Sequence, residues 1–329
     1  MAILKEKRKI KRAVRKAKTI FLMGHKDLDL DALGSCVGLS LLLKKKKKDC
    51  YIIIDDKEHE LGVEKILTEL EGCINIIKSE NIDKVTNKNE DKNLLIVLDT
   101  NKIDLVQNKE VLKKIDKKLV IDHHDIGKNS IKDAIVINDT NCSSTCEMIT
   151  KLIEYYDFDI ESYYATILLS GIVLDTNNFT LKTSKDTYYS AYYLASLGAS
   201  AKKVQYLLKQ DIEDYKERQK LMTSIDKVSK KVAFTKASAH TIYRREDLAK
   251  VADTLLFFND IEASFVIGKI GKNTVGLSVR SLGNYDISKI LNKLGGGGDN
   301  YDGAARFENT TLSQVEKKIK ECIAEEEGD

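Results

Sequence analysis

Short apolar runs, separated by longer stretches of helical periodicity, recur through the first part of the chain. Residues 19–23, 51–54, 94–98, 119–121 and 134–137 each read as a buried strand, because apolar side chains follow one another there without alternating with polar ones. Between most of these runs the apolar positions return at helical spacing, as from Asp31 through Leu43. Strands that alternate with helices in this way predict an α/β fold with a doubly wound, mainly parallel sheet. Two helices follow at 143–156 and 160–175, and a third around 185–197.

Residues 201–228 are charged and helical with no clear strand, which suggests a helical linker. Beyond it, 232–238, 263–270 and 274–280 alternate as strands, with helices over 244–256, 287–293 and about 312–324. The expected organisation is a catalytic α/β domain over 1–200, the linker over 201–228, and a second, smaller α/β domain over 229–329. That second domain carries a glycine-rich loop at Gly295-Gly296-Gly297-Gly298.

Composition narrows the class of protein. At 329 residues, with 42% apolar and 32% charged positions, the chain can bury two ordinary cores. The net charge of +3 is too small to argue for nucleic acid. Basic runs at Lys5–Lys18 and Lys44–Lys48 read as solvated helix faces and ends. No apolar stretch is long enough to span a membrane, and the N-terminus is too polar for a signal peptide. The 6 cysteines lack the spacing of a disulfide framework, so reduced thiols in the cytoplasm are expected, with Cys142 and Cys146 serving as packing. Proline is absent where about 16 would be usual. The Lys-, Asn- and Ile-rich composition points to an AT-rich genome.

The candidate chemistry lies where the apolar runs stop. Asp122-His123-His124 follows the run 119–121, Asp99 follows 94–98, and His25, Asp29 and Asp31 occupy the loop after 19–23. In a parallel sheet these loops leave from one edge, the edge where open α/β sheets bind ligands. Any one of these aspartates is also an ordinary helix N-cap, Asp31 before Ala32 among them. Three successive strand ends bearing acids and imidazoles, in a chain with only 5 histidines, are better explained by two-metal hydrolysis. Mixed imidazole and carboxylate donors place manganese first, ahead of cobalt, iron and zinc.

These residues resemble the DHH phosphoesterase superfamily. The likeness runs through Gly24-His25-Lys26, Asp29 to Gly34, Leu98-Asp99-Thr100, Asp122-His123-His124 and Gly171 to Thr176. In the second domain, Ser278 to Gly283 and Leu294 to Gly298 are similar to the DHH-associated C-terminal domain, most of all in GdpP-type cyclic di-AMP phosphodiesterases. The resemblance implies that His25, Asp29 and Asp99 hold one metal, while Asp31, Asp99, His123 and Asp175 hold a second. Asp99 is then the bridging carboxylate. Asp175 enters only through this likeness, because it ends no strand. Asp122 would orient an imidazole, and His124 would touch the scissile phosphate or assist the leaving oxygen. Ser278, Arg280 and Gly296, Gly297 and Gly298 would face the metals from the second domain.

The chain departs from the family pattern in places. Asp27-Leu28 replaces an asparagine and proline, and Asp125 stands where basic residues are usual. Asp299 takes the place of a histidine after the glycines, where a carboxylate repels phosphate unless protonated or paired. The implied activity is manganese-dependent opening of cyclic di-AMP to linear pApA by attack of a metal-bridging hydroxide. The alternative is a nano-RNase or pAp phosphatase acting on short oligonucleotides, and a manganese pyrophosphatase ranks third. A nucleotide sensor without catalysis is disfavoured because the ligands are present. Binding of nucleic acid through the basic N-terminal segment ranks lower still. The expected partner is therefore a cyclic dinucleotide or short oligonucleotide, not duplex DNA, and a homodimer stays open. The location expected is cytoplasmic, as a stand-alone unit or as the catalytic fragment of a membrane-anchored protein.

Overall fold

The computed structural model describes residues 2–55, 59–298 and 300–328. The chain divides into two compact units, Met1–Lys209 and Gln210–Asp329.

The first unit is built on six parallel strands: β1 (Thr19–Met23), β2 (Asp49–Ile53), β3 (Ile76–Ile77), β4 (Asn93–Leu98), β5 (Lys118–Asp122) and β6 (Ile135–Asn138). Their spatial order is β3-β2-β1-β4-β5-β6, and every neighbouring pair is parallel. Successive side chains of a strand point to opposite faces. Ile20 and Leu22 accordingly join Ile96, Leu98, Leu119 and Ile121 on one face, while Phe21 and Met23 join Leu95, Val97 and Val120 on the other. Both faces are covered, which is why these strands read as unbroken apolar runs. Helices Leu30–Lys45, Thr145–Tyr155 and Ser162–Asp175 pack their buried residues, among them Leu33, Val37, Ile149 and Leu168, into the first of these two clusters. The two-residue β3 is too short to leave a pattern in the sequence.

The second unit has six strands in the order β11-β12-β10-β9-β8-β7, here β7 (Ile225–Lys227), β8 (Val232–Lys236), β9 (Ala263–Gly271), β10 (Thr274–Ser281), β11 (Gly297–Gly298) and β12 (Asp302–Glu308). Only β8 and β9 run parallel, so this sheet is mostly antiparallel. Val232, Phe265, Leu277, Ile290 and Ile319 share its main core.

The segment 201–228 is divided between the units. Helix Ala201–Leu207 buries Val204 and Leu207 in the first. Helix Ile212–Met222 lies in the second, where the buried Arg218 donates to Asp247 at 3.0 Å. β7 follows at once, with every residue exposed and therefore no apolar periodicity to reveal it. The glycine run is also more regular than a loop, because Gly297 and Gly298 pair with Ala304 and Gly303. A Cβ on Gly298 would lie 2.2 Å from Asp302 O, so this close approach requires glycine.

Candidate metal centre

In the first unit, strand order changes direction between β1 and β4, and the loops leaving those two strands carry His25 and Asp99. A crevice opens at such a switch point because the connections on its two sides run apart. Asp122 ends β5, the next strand over.

Asp99 is 2% exposed and lies at the centre of the arrangement. Its Oδ2 is 3.4 Å from His25 Nε2, and its Oδ1 is 3.4 Å from His123 Nε2. Asp29 Oδ2 is 3.4 Å from the same His25 nitrogen. Around His123 Nε2 stand Asp175 Oδ2 at 3.1 Å and Asp31 Oδ2 at 4.0 Å. The donor atoms fall into three overlapping groups: His25, Asp29 and Asp99; Asp31, His123 and Asp175; and Asp99, His123 and His124, so that Asp99 and His123 each belong to two. Asp99 adopts a left-handed backbone with φ of +61°, a conformation that aspartate tolerates better than most residues.

Local structure fixes each ligand. Asp29 is the N-cap of helix Leu30–Lys45: its Oδ1 accepts from Asp31 and Ala32 N–H at 3.0 and 2.9 Å, leaving Oδ2 for His25. The capping role therefore belongs to Asp29, not Asp31. Asp31 instead meets the start of helix Thr145–Tyr155, whose Thr145 and Cys146 N–H groups donate to Oδ2 and Oδ1, each at 2.7 Å. Two amides at a helix N-terminus are a favourable site for a carboxylate. Thr145 Oγ1 also donates to Asp99 Oδ1 at 2.9 Å. His25 Nδ1 pairs with Lys26 O at 2.7 Å, which reserves Nε2 for the cluster.

The charges within the site act strongly on one another. Burial disfavours charge on His123, yet Asp175 and Asp99 hold its pKa well above the ordinary imidazole value. Burial opposes charge on His25 too, and Asp29 and Asp99 again raise it. Burial, with Asp99 and Asp175 beside it, pushes Asp31 well above the usual carboxylate range. Asp99 is buried as well, but contacts with His123 and His25 bring it well below that range.

The donor set fits divalent metal. His123 Nε2 is buried without a hydrogen-bond partner although carboxylate oxygens converge on it. Ligands ~2.1 Å from one octahedral ion lie about 3 Å apart, close to the 3.1 and 3.4 Å separations found here. Each of the three groups could thus hold a metal ion.

Residues 19–172 match the family model described as DHH family, N-terminal domain. This part of the chain is a DHH-family domain. It is 34% identical over 312 residues to the cyclic-di-AMP phosphodiesterase GdpP of Geobacillus thermodenitrificans, a match covering 92% of this chain and 47% of that protein. The chain thus spans about half the length of that curated relative. It is 26% identical to the bifunctional oligoribonuclease and PAP phosphatase NrnA of Thermus thermophilus, covering 93% of this chain and 90% of the relative. An exopolyphosphatase-related protein from Bacteroides fragilis has the same fold, with a TM-score of 0.78, 19% identity and 95% of each chain covered.

The DHH motif divides its labour. Asp122 is fully buried: its Oδ2 accepts from Asn101 Nδ2 at 2.5 Å, and its Oδ1 meets His123 N–H at 2.9 Å and His124 Nδ1 at 2.8 Å. His123 is buried among the carboxylates, whereas the His124 side chain is 46% exposed. Burial lowers the His124 pKa and Asp122 raises it, the net direction being upward.

Among the residues expected in the second unit, Ser278 is buried in β10 and Arg280, two residues on, shares its face of the strand. Arg280 Nε donates to Asp253 Oδ1 at 2.7 Å. Ser278 pairs with Ala304, and Ala304 pairs with Gly297, so serine and glycine occupy one row with β12 between them. Gly296 stands just before β11, and Asp299 lies outside the described residues.

Strand-end reasoning did not select Asp175, Thr145, Cys146 or Asn101. Asp175 had one available signal: it ends an apolar helix, at the pole where a negative charge is unfavourable. The helix start was readable from Ser144 and Glu147, a serine followed three residues later by glutamate, but its proximity to Asp31 was not.

Proposed function

We propose that the chain is a manganese-dependent phosphodiesterase that opens cyclic di-AMP to linear pApA. The observation that carries the reading is the Asp99 carboxylate, whose two oxygens each stand 3.4 Å from a different histidine. His25, Asp29 and Asp99 are assigned to one ion, and Asp31, Asp99, His123 and Asp175 to the other. Paired divalent ions supply a water that ionises near neutral pH and positive charge for the phosphoryl oxygens. His124, fixed through Nδ1 by Asp122, keeps Nε2 for a phosphate oxygen or the departing ribose oxygen. Ser278, Arg280 and the backbone N–H groups of Gly296–Gly298 are assigned to phosphate recognition, for which arginine and glycine are suited. The substrate is taken from the name of the Geobacillus relative. A cytoplasmic location belongs to the same reading, in keeping with six free cysteines.

A second reading, cleavage of short oligonucleotides or pAp, is favoured by the near full-length match to the Thermus relative. Purified protein with manganese should be offered cyclic di-AMP, pApA and pAp in parallel. Appearance of pApA from cyclic di-AMP, lost in Asp99→Ala and His123→Ala, supports the first reading. Intact cyclic di-AMP beside degraded pApA or pAp supports the second, and no turnover of any of the three rejects both.

A further inference from the structure

Four residues after Asp175, Phe179 adopts a φ of +64°, following Asn177 at +44° and Asn178 at +61°. A phenylalanine in the left-handed region is strained, because its Cβ crowds the backbone, and it persists only where its surroundings impose it. Here Phe179 N–H donates to Thr176 Oγ1 at 3.0 Å, and the N–H groups of Thr180 and Leu181 both reach Thr176 O at 2.9 Å. The strained turn sets the Phe179 ring against Tyr188, with centroids 5.6 Å apart and planes inclined by 20°. Tyr188 is 57% exposed while Phe179 is half-buried against the core. The tyrosine ring is therefore stacked with phenylalanine while much of the residue stays open to solvent.

Both rings hang from the framework that carries the metal ligands. Thr176, which anchors Phe179, directly follows Asp175. Thr187, which precedes Tyr188, is buried and donates to Glu147 Oε2 at 2.9 Å. The same oxygen accepts from Ser143 N–H at 3.0 Å and Ser143 Oγ at 2.6 Å, in the turn that begins the helix holding Asp31. The metal ligation described above makes no use of either ring. A backed, flat, exposed aromatic face tied to a phosphoryl-transfer centre is suited to the planar part of a nucleotide, because every base offers a π face.

We propose that Tyr188, backed by Phe179, is a stacking platform for a purine base of the substrate. The proposal takes its substrate class from the phosphodiesterase reading. Its test uses binding and no turnover, so failure to open cyclic di-AMP would remove that reading and leave this result to stand or fall by itself. Manganese-loaded full chain is titrated calorimetrically with AMP and with ribose 5-phosphate, which lacks the base. The wild type is expected to prefer AMP by about tenfold, Tyr188→Ala to lose that preference, and Tyr188→Trp to keep it. Phe179→Leu, which preserves an apolar side chain against the core, should lose part of it. A wild type that binds the two ligands equally overturns the platform, as does a Tyr188→Ala variant that keeps the preference or weakens both ligands alike.

Discussion

Asp31 is held by Thr145 through a 2.7 Å hydrogen bond from the backbone amide, so a proposed metal ligand on one helix is oriented by the first turn of another. Main-chain donors persist through every side-chain exchange except to proline, so the contact is most directly broken from the Asp31 side. Asp31→Asn should lower turnover by about 100-fold or more, because the amide has less charge for a cation and cannot accept at both of its terminal atoms. Steady-state kinetics across a manganese titration checks this. An activity within a few-fold of wild type would show that Asp31 is only a structural contact.

Manganese should stabilise the first unit. Four carboxylates around two imidazoles repel one another unless protons or cations intervene. At 100 times the dissociation constant, a bound ion adds about 2.7 kcal/mol. Thermal unfolding should therefore rise with manganese and return on chelation, and Asp99→Ala should show almost no rise.

Replacing Asp122 with asparagine removes the charge behind His124 and alters the acceptor for His123 N–H. Partners behind a metal ligand are typically worth about 10- to 100-fold in affinity or activity. A fall of that size in kcat, with the fold unchanged by circular dichroism, is the expected result. A larger loss accompanied by unfolding would assign Asp122 to structure alone.

Gly171 lies in the helix that ends at Asp175. A Cβ there would come 2.6 Å from Cys146 Sγ and 2.9 Å from Asp31 Cα. Gly171→Ala should cost about 1–3 kcal/mol in chemical denaturation. It should also weaken manganese binding, because the strain falls on a ligand-bearing residue. Loss of stability with unaltered manganese affinity would contradict that link.

In the second unit, burial opposes the charge of Asp247, but Arg244 and Arg218 hold its pKa below the usual carboxylate range. The folded value thus lies beneath the unfolded one of about 3.9. Stability from this group is fully present above that value and is lost as pH falls through the folded one. Asp247→Asn should cost about 1–3 kcal/mol at pH 7, and the difference from wild type should shrink below about pH 4 in an acid-unfolding series.

The sheet of the first unit was legible because both of its faces are buried, which leaves uninterrupted runs such as Leu94 to Leu98. The gathering of His25, Asp29, Asp31, Asp99 and His123 after β1, β4 and β5 followed from the rule that such sheets bind at the carboxyl edge. Asp175 escaped that rule because it arrives on a helix. Thr145 and Cys146 act through backbone amides, which no residue type reveals. β7 and β11 were hidden for opposite reasons, one being all exposed and the other all glycine.

The strand order has a consequence for how the chain acquires its centre. Thr19 pairs with Asn93, so docking β4 beside β1 closes a long loop that contains β2 and β3. Contacts so distant in sequence carry a loop-closure cost that local structure does not repay early. His25 and Asp99 sit on the two sides of that junction. A chain that has completed only its β1–β3 half owns His25, Asp29 and Asp31 but none of the acids or imidazoles that finish any of the three groups. Under the proposed function, capture of metal would report that the long connection has closed in the right place, and an incomplete fold would lack the paired donor groups on which the proposed hydrolysis depends.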